Sequence, residues 1–99
     1  MVASRGESKH RLHVIWAGRV QGVGFRYTVE TIAMGLKLTG WVRNVPDGQV
    51  EAVCEGSEER LKQFLDEIRT GPMQRYIQRV QSQREDATGE FRDFQIRFY

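Results

Sequence analysis

The stretch Gly18-Arg19-Val20-Gln21-Gly22-Val23-Gly24-Phe25-Arg26 constrains this chain more than any other. It follows an apolar, alternating run, Leu12 to Ala17, and precedes a helical pattern that starts near Phe25. Glycines between a strand and a helix let several backbone N–H groups turn toward one point. A helix N-terminus adds unpaired amides and a partial positive charge. Arg26 adds a planar fork of donors, in a position that opposes the helix dipole unless an anion compensates it. The combination suits a phosphate-sized anion. Glycines that merely make a tight turn are the alternative that the loop alone leaves open.

The same loop excludes other phosphate chemistries. No Gly-Lys-Ser/Thr closes it, so it is not a nucleotide P-loop. The third glycine of a dinucleotide fingerprint is missing, with Tyr27 in its place. Val20 stands six residues before Arg26, where a cysteine phosphatase loop would carry its nucleophile.

Periodicity orders the rest. Leu12, Val14 and Trp16 alternate with Arg11, His13 and Ile15 as a first strand. Phe25, Val29, Ile32, Ala33 and Leu36 share a helical face. Leu38 to Val45 reads as a second strand, Pro46-Asp47-Gly48 as a turn, and Gln49 to Glu55 as a third strand. Ser57 is the expected N-cap of a second helix, with Glu58 and Glu59 in its first turn and an apolar stripe of Leu61, Phe64, Leu65 and Ile68. Gly71-Pro72 ends it. Tyr76 to Arg84 and the alternating Phe94, Ile96 and Phe98 are the last strands, separated by a polar loop from Glu85 to Glu90. The order is βαββαβ with the last β in two pieces. Both apolar stripes then cover one face of a single sheet.

The chain has 99 residues, the size of one small domain. No apolar run approaches the ~18 residues of a membrane span. Residues 1–10 are polar, lack a signal-like apolar segment and read as a flexible lead; residues 11–99 form the domain. A cytoplasmic location is the default, and the lone Cys54, which has no partner for a disulfide, fits it. Net charge is +2, with the arginines dispersed among acids, so no basic tail for nucleic acid is present. A mild positive field would favour an anionic small substrate.

The loop and its surroundings resemble the acylphosphatase family. Gly18 to Arg26 matches its motif without a gap, and Gly40-Trp41-Val42-Arg43-Asn44, followed by Asp47-Gly48 and Val50-Glu51, is a second match. Weaker echoes are Glu55-Gly56, Gly71-Pro72 and Phe94-Gln95-Ile96-Arg97. They run in family order over Leu12 to Phe98. Lys37 departs from the pattern, where glycine is usual, and so does Arg75, where a small residue is common.

The resemblance implies an α+β, ferredoxin-like βαββαβ sandwich, an antiparallel sheet with two helices on one face. It also implies hydrolysis of acyl phosphates to carboxylate and inorganic phosphate. Phosphate binding falls to Gln21, Gly22, Val23, Gly24, Phe25 and Arg26, and Asn44 positions the attacking water. If the first two strands run antiparallel, only tertiary structure brings Asn44 to the loop. The expected partners are an acyl phosphate as substrate and inorganic phosphate as product and inhibitor. No cofactor, metal, nucleic acid or membrane is expected.

The residues fit this chemistry. The leaving group is a carboxylate whose conjugate acid has a pKa of ~4, so it departs without a general acid. Phosphoryl transfer then needs positioning and charge stabilisation. Backbone amides and Arg26 supply the second, and an amide side chain holds a water without titrating. A phosphomonoester, with an alkoxide leaving group, would need an acid or a metal. His10 and His13 lack a metal-ligand pattern. Cys54 reads as an apolar filler, Trp16, Tyr27 and Trp41 as packing residues, and Arg19 and Arg43 as solvated charges. Thr28 reads as a residue that caps or hydrogen-bonds locally, without a part in the chemistry. Two other readings share the topology. A single-strand RNA reader carries a basic-glycine-aromatic consensus on its third strand, but Gln49 to Glu55 has no aromatic residue. A phosphate-binding domain without activity would have lost motif residues that this chain retains.

Overall fold

The computed structural model describes residues 8–98, and in it the alternation at Leu12, Val14 and Trp16 is a strand with one face fully buried. The elements are β1 (Lys9–Gly18), α1 (Phe25–Gly35), β2 (Thr39–Asn44), β3 (Val50–Ser57), α2 (Glu58–Thr70), β4 (Ile77–Asp86) and β5 (Phe94–Arg97). A short 3-10 turn, Gln74–Tyr76, leads into β4. The strands form one sheet in the order β4-β1-β3-β2-β5. Trp16 joins the layers, edge-on to Phe25 of α1 at 5.2 Å and to Phe64 of α2 at 6.2 Å. These aromatic contacts add stabilisation beyond the burial of apolar area.

Two sequence expectations need correction. The sheet is mixed, because β2 and β5 pair in parallel while every other pair is antiparallel. The strands β4 and β5 lie at opposite edges, so the chain crosses the sheet at one end and re-enters beside β2 in the same direction. The expected polar lead is also shorter than residues 1–10. Lys9 and His10 belong to β1, because β3 runs on to Ser57 and pairs them with Ser57 and Gly56. Residues 1–7 of that lead lie outside the described residues.

The crossing segment is tied down by a buried carboxylate. Glu55 of β3 is only 3% exposed. It accepts hydrogen bonds from Arg11 Nε at 2.8 Å and from the backbone N–H groups of Thr88 and Gly89 at 2.8 and 2.9 Å. Burial alone would raise its pKa, but these donors outweigh it and hold the carboxyl below its ordinary range. The tie fixes where β5 starts, and β5 leads to residues that line the site described below.

Lys37 stands in the left-handed region, with φ 58°, as the missing glycine implies. It closes α1 with the paired bonds of a Schellman motif: Lys37 N–H donates to Met34 O at 3.0 Å and Leu38 N–H to Ala33 O at 2.9 Å. A lysine Cβ in this conformation is strained by ~1 kcal/mol. Lys37→Gly is therefore expected to raise the thermal midpoint, by up to about 4–8 °C for a domain of this size, without changing turnover. A lowered midpoint would show that the side chain gives back more than the strain costs.

Candidate active site

The register brings the two sequence motifs to one place. β1 and β2 both pair antiparallel with β3, which lies between them, so they run in the same direction. The first two strands are thus not antiparallel to one another. Their carboxyl ends, Gly18 and Asn44, share one end of the sheet, where α/β units place ligands.

The loop between β1 and α1 is built to leave donors free. Gly22 and Gly24 have φ of 78° and 81°, left-handed values that glycine adopts without strain. Gly24 is the N-cap of α1 and provides no side-chain cap, and the first turn holds no acid. The first helical bond is Thr28 N–H to Gly24 O. Among the described residues, the backbone N–H groups from Gly22 to Tyr27 donate to no backbone carbonyl. The Thr28 hydroxyl donates to Gly24 O at 3.1 Å, the local role expected of it.

These groups border a cavity of about 170 Å³ lined by Val20, Gly22, Gly24, Phe25, Arg26, Tyr27, Asn44, Ile96 and Phe98. Arg26 is half-buried. Its guanidinium lies 5.0 Å from the centre of the Phe98 ring, and Nη1 donates a long hydrogen bond of 3.4 Å to Arg97 O. It has no carboxylate partner among the described residues, so most of its donor capacity is free. Asn44 Oδ1 is buried and has no hydrogen-bond partner among the described residues. A buried acceptor left unpaired costs ~1–3 kcal/mol, a cost expected where a ligand or a reacting water completes the site.

The chain matches the family model of acylphosphatases over residues 12–96. An acylphosphatase of Syntrophotalea carbinolica is 44% identical over 88 residues, covering 89% of this chain and 96% of that protein. The chain belongs to the acylphosphatase family. An acylphosphatase of Geobacillus kaustophilus is likewise 44% identical, over 89% of this chain and 94% of its own length. The crystal structure of acylphosphatase from Bacillus subtilis superposes with a TM-score of 0.82 at 36% identity, covering 88% of this chain and 97% of that one. The family's reaction, hydrolysis of acyl phosphates, comes with that membership.

The expected site residues divide into three groups. Arg26, Asn44, Gly22, Gly24 and Phe25 border the cavity. The Phe25 ring also packs in the core against Trp16. The Val23 side chain packs, partly buried, against the core, while its backbone N–H stays free in the loop. The Gln21 side chain does not reach the cavity. Its Nε2 donates at 2.8 Å to both Val45 O and Gln49 O, clamping the loop to the hairpin that carries Asn44.

Other assignments change as well. Tyr27 is 72% exposed and Phe98 82% exposed, so both rim the cavity rather than pack. Tyr27 falls off the Phe25-Val29-Ile32-Ala33-Leu36 stripe, which was the available signal. Phe98 lies just past the end of β5. Trp41 packs on the outer face of the sheet, with the Arg43 and Arg97 guanidiniums 5.5 and 4.8 Å from its ring. Arg43 is also not a solvated charge. It donates to Glu51, as does His13 at 2.6 Å if its ring carries the proton at Nε2. Burial raises the Glu51 pKa, but these two bonds prevail and leave its carboxyl below the ordinary range.

Cys54 is fully buried in β3. Burial pushes its thiol up to about 12, with Arg84 only partly opposing it, so no thiolate forms at neutral pH. Cys54→Ala is expected to keep nearly full turnover and to lose ~1–2 kcal/mol of stability. Loss of hydrolysis in a folded variant would contradict this. Among the described residues no group of three or more His, Cys, Asp or Glu could hold a metal ion, and no helix is long and apolar enough to cross a membrane.

Proposed function

We propose that the cavity at the shared end of β1 and β2 holds the phosphoryl group of an acyl phosphate, with Arg26 and the amides of Gly22 to Arg26 on its oxygens and a water on Asn44. The observation that carries this reading is that one small cavity borders an uncommitted guanidinium, unpaired helix-start amides and an orphaned amide oxygen. The first two supply positive potential where charge spreads over the equatorial oxygens. The Asn44 oxygen accepts one O–H of the water and turns its lone pair toward phosphorus. The P–O bond to the carboxylate breaks as the water oxygen bonds to phosphorus. The carboxylate leaves as an anion, and the water proton passes to solvent or to a phosphoryl oxygen. No metal or cofactor is required by this scheme. The acyl group extends along Tyr27, Ile96 and Phe98, the apolar side of the cavity. Inorganic phosphate, the product, occupies the same donors and inhibits.

Gln21 acts as a positioning residue in this account, because its clamp sets the distance between phosphate donors and water. Gln21→Met preserves the length of the side chain without a donor. It is expected to lower kcat about 10-fold while the inhibition constant of phosphate stays near the wild-type value. Equal losses in both, or none, would remove Gln21 from the mechanism.

The chain is proposed to work in the cytoplasm without a nucleic-acid partner. β3 bears no aromatic residue for base stacking, and the outer sheet face is occupied by the Arg11–Glu55 and Arg43–Glu51 ion pairs. The test is hydrolysis of a simple aromatic acyl phosphate with and without a chelator, beside a phosphomonoester. The expected result is chelator-insensitive release of phosphate from the acyl phosphate alone. A rate abolished by the chelator, or equal turnover of the phosphomonoester, would refute the scheme.

A further inference from the structure

The site is split between two strands that do not touch. The phosphate loop leaves the end of β1 and Asn44 ends β2, while β3 runs between them and carries neither part. Neighbouring strands lie ~4.8 Å apart, so β1 and β2 are separated by roughly 10 Å. Val50 is the last rung on both sides of β3, opposite Trp16 of β1 and Asn44 of β2. Past it, no strand ladder sets the spacing between Gly18 and Asn44.

One residue inward, on the outer face of the sheet, Glu51 reaches both outer strands. Its Oε1 accepts from Arg43 Nε of β2 at 2.8 Å, and its Oε2 lies 2.6 Å from His13 Nε2 of β1. Arg43 faces Glu51 directly in the ladder and immediately precedes Asn44. His13 lies on the diagonal, two residues before Ile15, which faces Glu51 on β1. One carboxylate thus gives one oxygen to each of the two strands that carry the site. Its side chain is 17% exposed, so both contacts are largely withdrawn from water. Exposed ion pairs add little stability, because side-chain entropy and solvent offset the attraction. A half-buried carboxylate with two fixed partners supplies a definite geometry instead. The Arg43 guanidinium is further held against the Trp41 ring, 5.5 Å from its centre.

We infer that Glu51 is a positioning residue of the active site: from β3 it fixes the ends of β1 and β2, and with them the distance from the phosphate loop to the water on Asn44. Gln21 ties the same two parts from the loop side. Glu51 lies outside the cavity and acts through Arg43 on the backbone of Asn44. The inference rests on the role given to Asn44 above. A displaced water slows the chemical step without loosening the phosphate, whose donors belong to the loop and to Arg26.

The test is a double-mutant cycle on kcat. Glu51→Ala is expected to lower kcat about 10-fold. Arg43→Met, which removes only the β2 arm, should lower it ~3–10-fold. In both, the inhibition constant of inorganic phosphate stays within about 2-fold of the wild type. In an Asn44→Ala background the same substitutions should change kcat by less than about 2-fold, because the water that they place is already lost. Thermal melts fix an assay temperature at which every variant is folded, and Arg43→Met carries the cycle if Glu51→Ala does not fold. A lowered midpoint with unchanged kcat would make Glu51 a purely structural residue and overturn the inference. Equal losses in the wild-type and Asn44→Ala backgrounds would do the same. A loss in Asn44→Ala with none in Glu51→Ala or Arg43→Met would overturn this inference alone, whereas full activity of Asn44→Ala would remove the water role and this inference together.

Discussion

Arg26→Ala is expected to lower kcat/KM for an aromatic acyl phosphate by roughly 10³–10⁴-fold and to weaken inhibition by inorganic phosphate. The magnitude follows from two roles. The guanidinium meets the phosphoryl group in the ground state and again as charge shifts onto its equatorial oxygens. It also sits where the first turn of α1 already concentrates positive potential, so its loss removes part of a combined field. Arg26→Lys should recover little, because a point charge lacks the planar fork. Stability should hold or rise slightly in Arg26→Ala, since a cation at a helix N-terminus is unfavourable when no anion is bound. Unchanged phosphate inhibition in a folded Arg26→Ala would place the anion elsewhere.

Asn44→Ala should separate cleanly from that variant. Its buried oxygen has no partner within the described chain, and its proposed role is confined to the water. The expected result is a fall in kcat of ~100-fold or more, with KM and phosphate inhibition near the wild type, as for a contact used only in the transition state. Stability should be equal or greater, because removing the side chain removes an unpaired buried acceptor. Steady-state kinetics with phosphate inhibition and a thermal melt read all three. Full activity in a folded Asn44→Ala would leave the account without its water.

The parts of this site that sequence reveals are those whose geometry is local. Glycines at Gly22 and Gly24 announce left-handed backbone because few other residues tolerate it, and an arginine at an uncapped helix start announces an anion. Lys37 was equally readable: it stands where the family carries a glycine, and its φ of 58° is the glycine's conformation. The misreadings concern contacts across the sheet. Gln21 sits inside the phosphate motif, yet its side chain serves the hairpin that carries Asn44, a link that exists only once β3 lies between β1 and β2. Phe98 looked like one more inward residue of an alternating strand, but β5 ends at Arg97 and the ring turns to Arg26. The parallel pairing of β5 depends on which edge the crossing segment reaches. The buried carboxylate of Glu55, which accepts from the Thr88 and Gly89 amides, ties that segment down, and this contact exists only in the folded chain.

The central claim is that water attacks phosphorus while the loop holds the phosphoryl group. Hydrolysis in heavy-oxygen water tests it directly. Mass analysis of the products should find one solvent oxygen in inorganic phosphate and none in the carboxylate above the level of uncatalysed exchange. Solvent oxygen in the carboxylate instead would mean attack at the acyl carbon, and would contradict the roles given to Arg26 and Asn44.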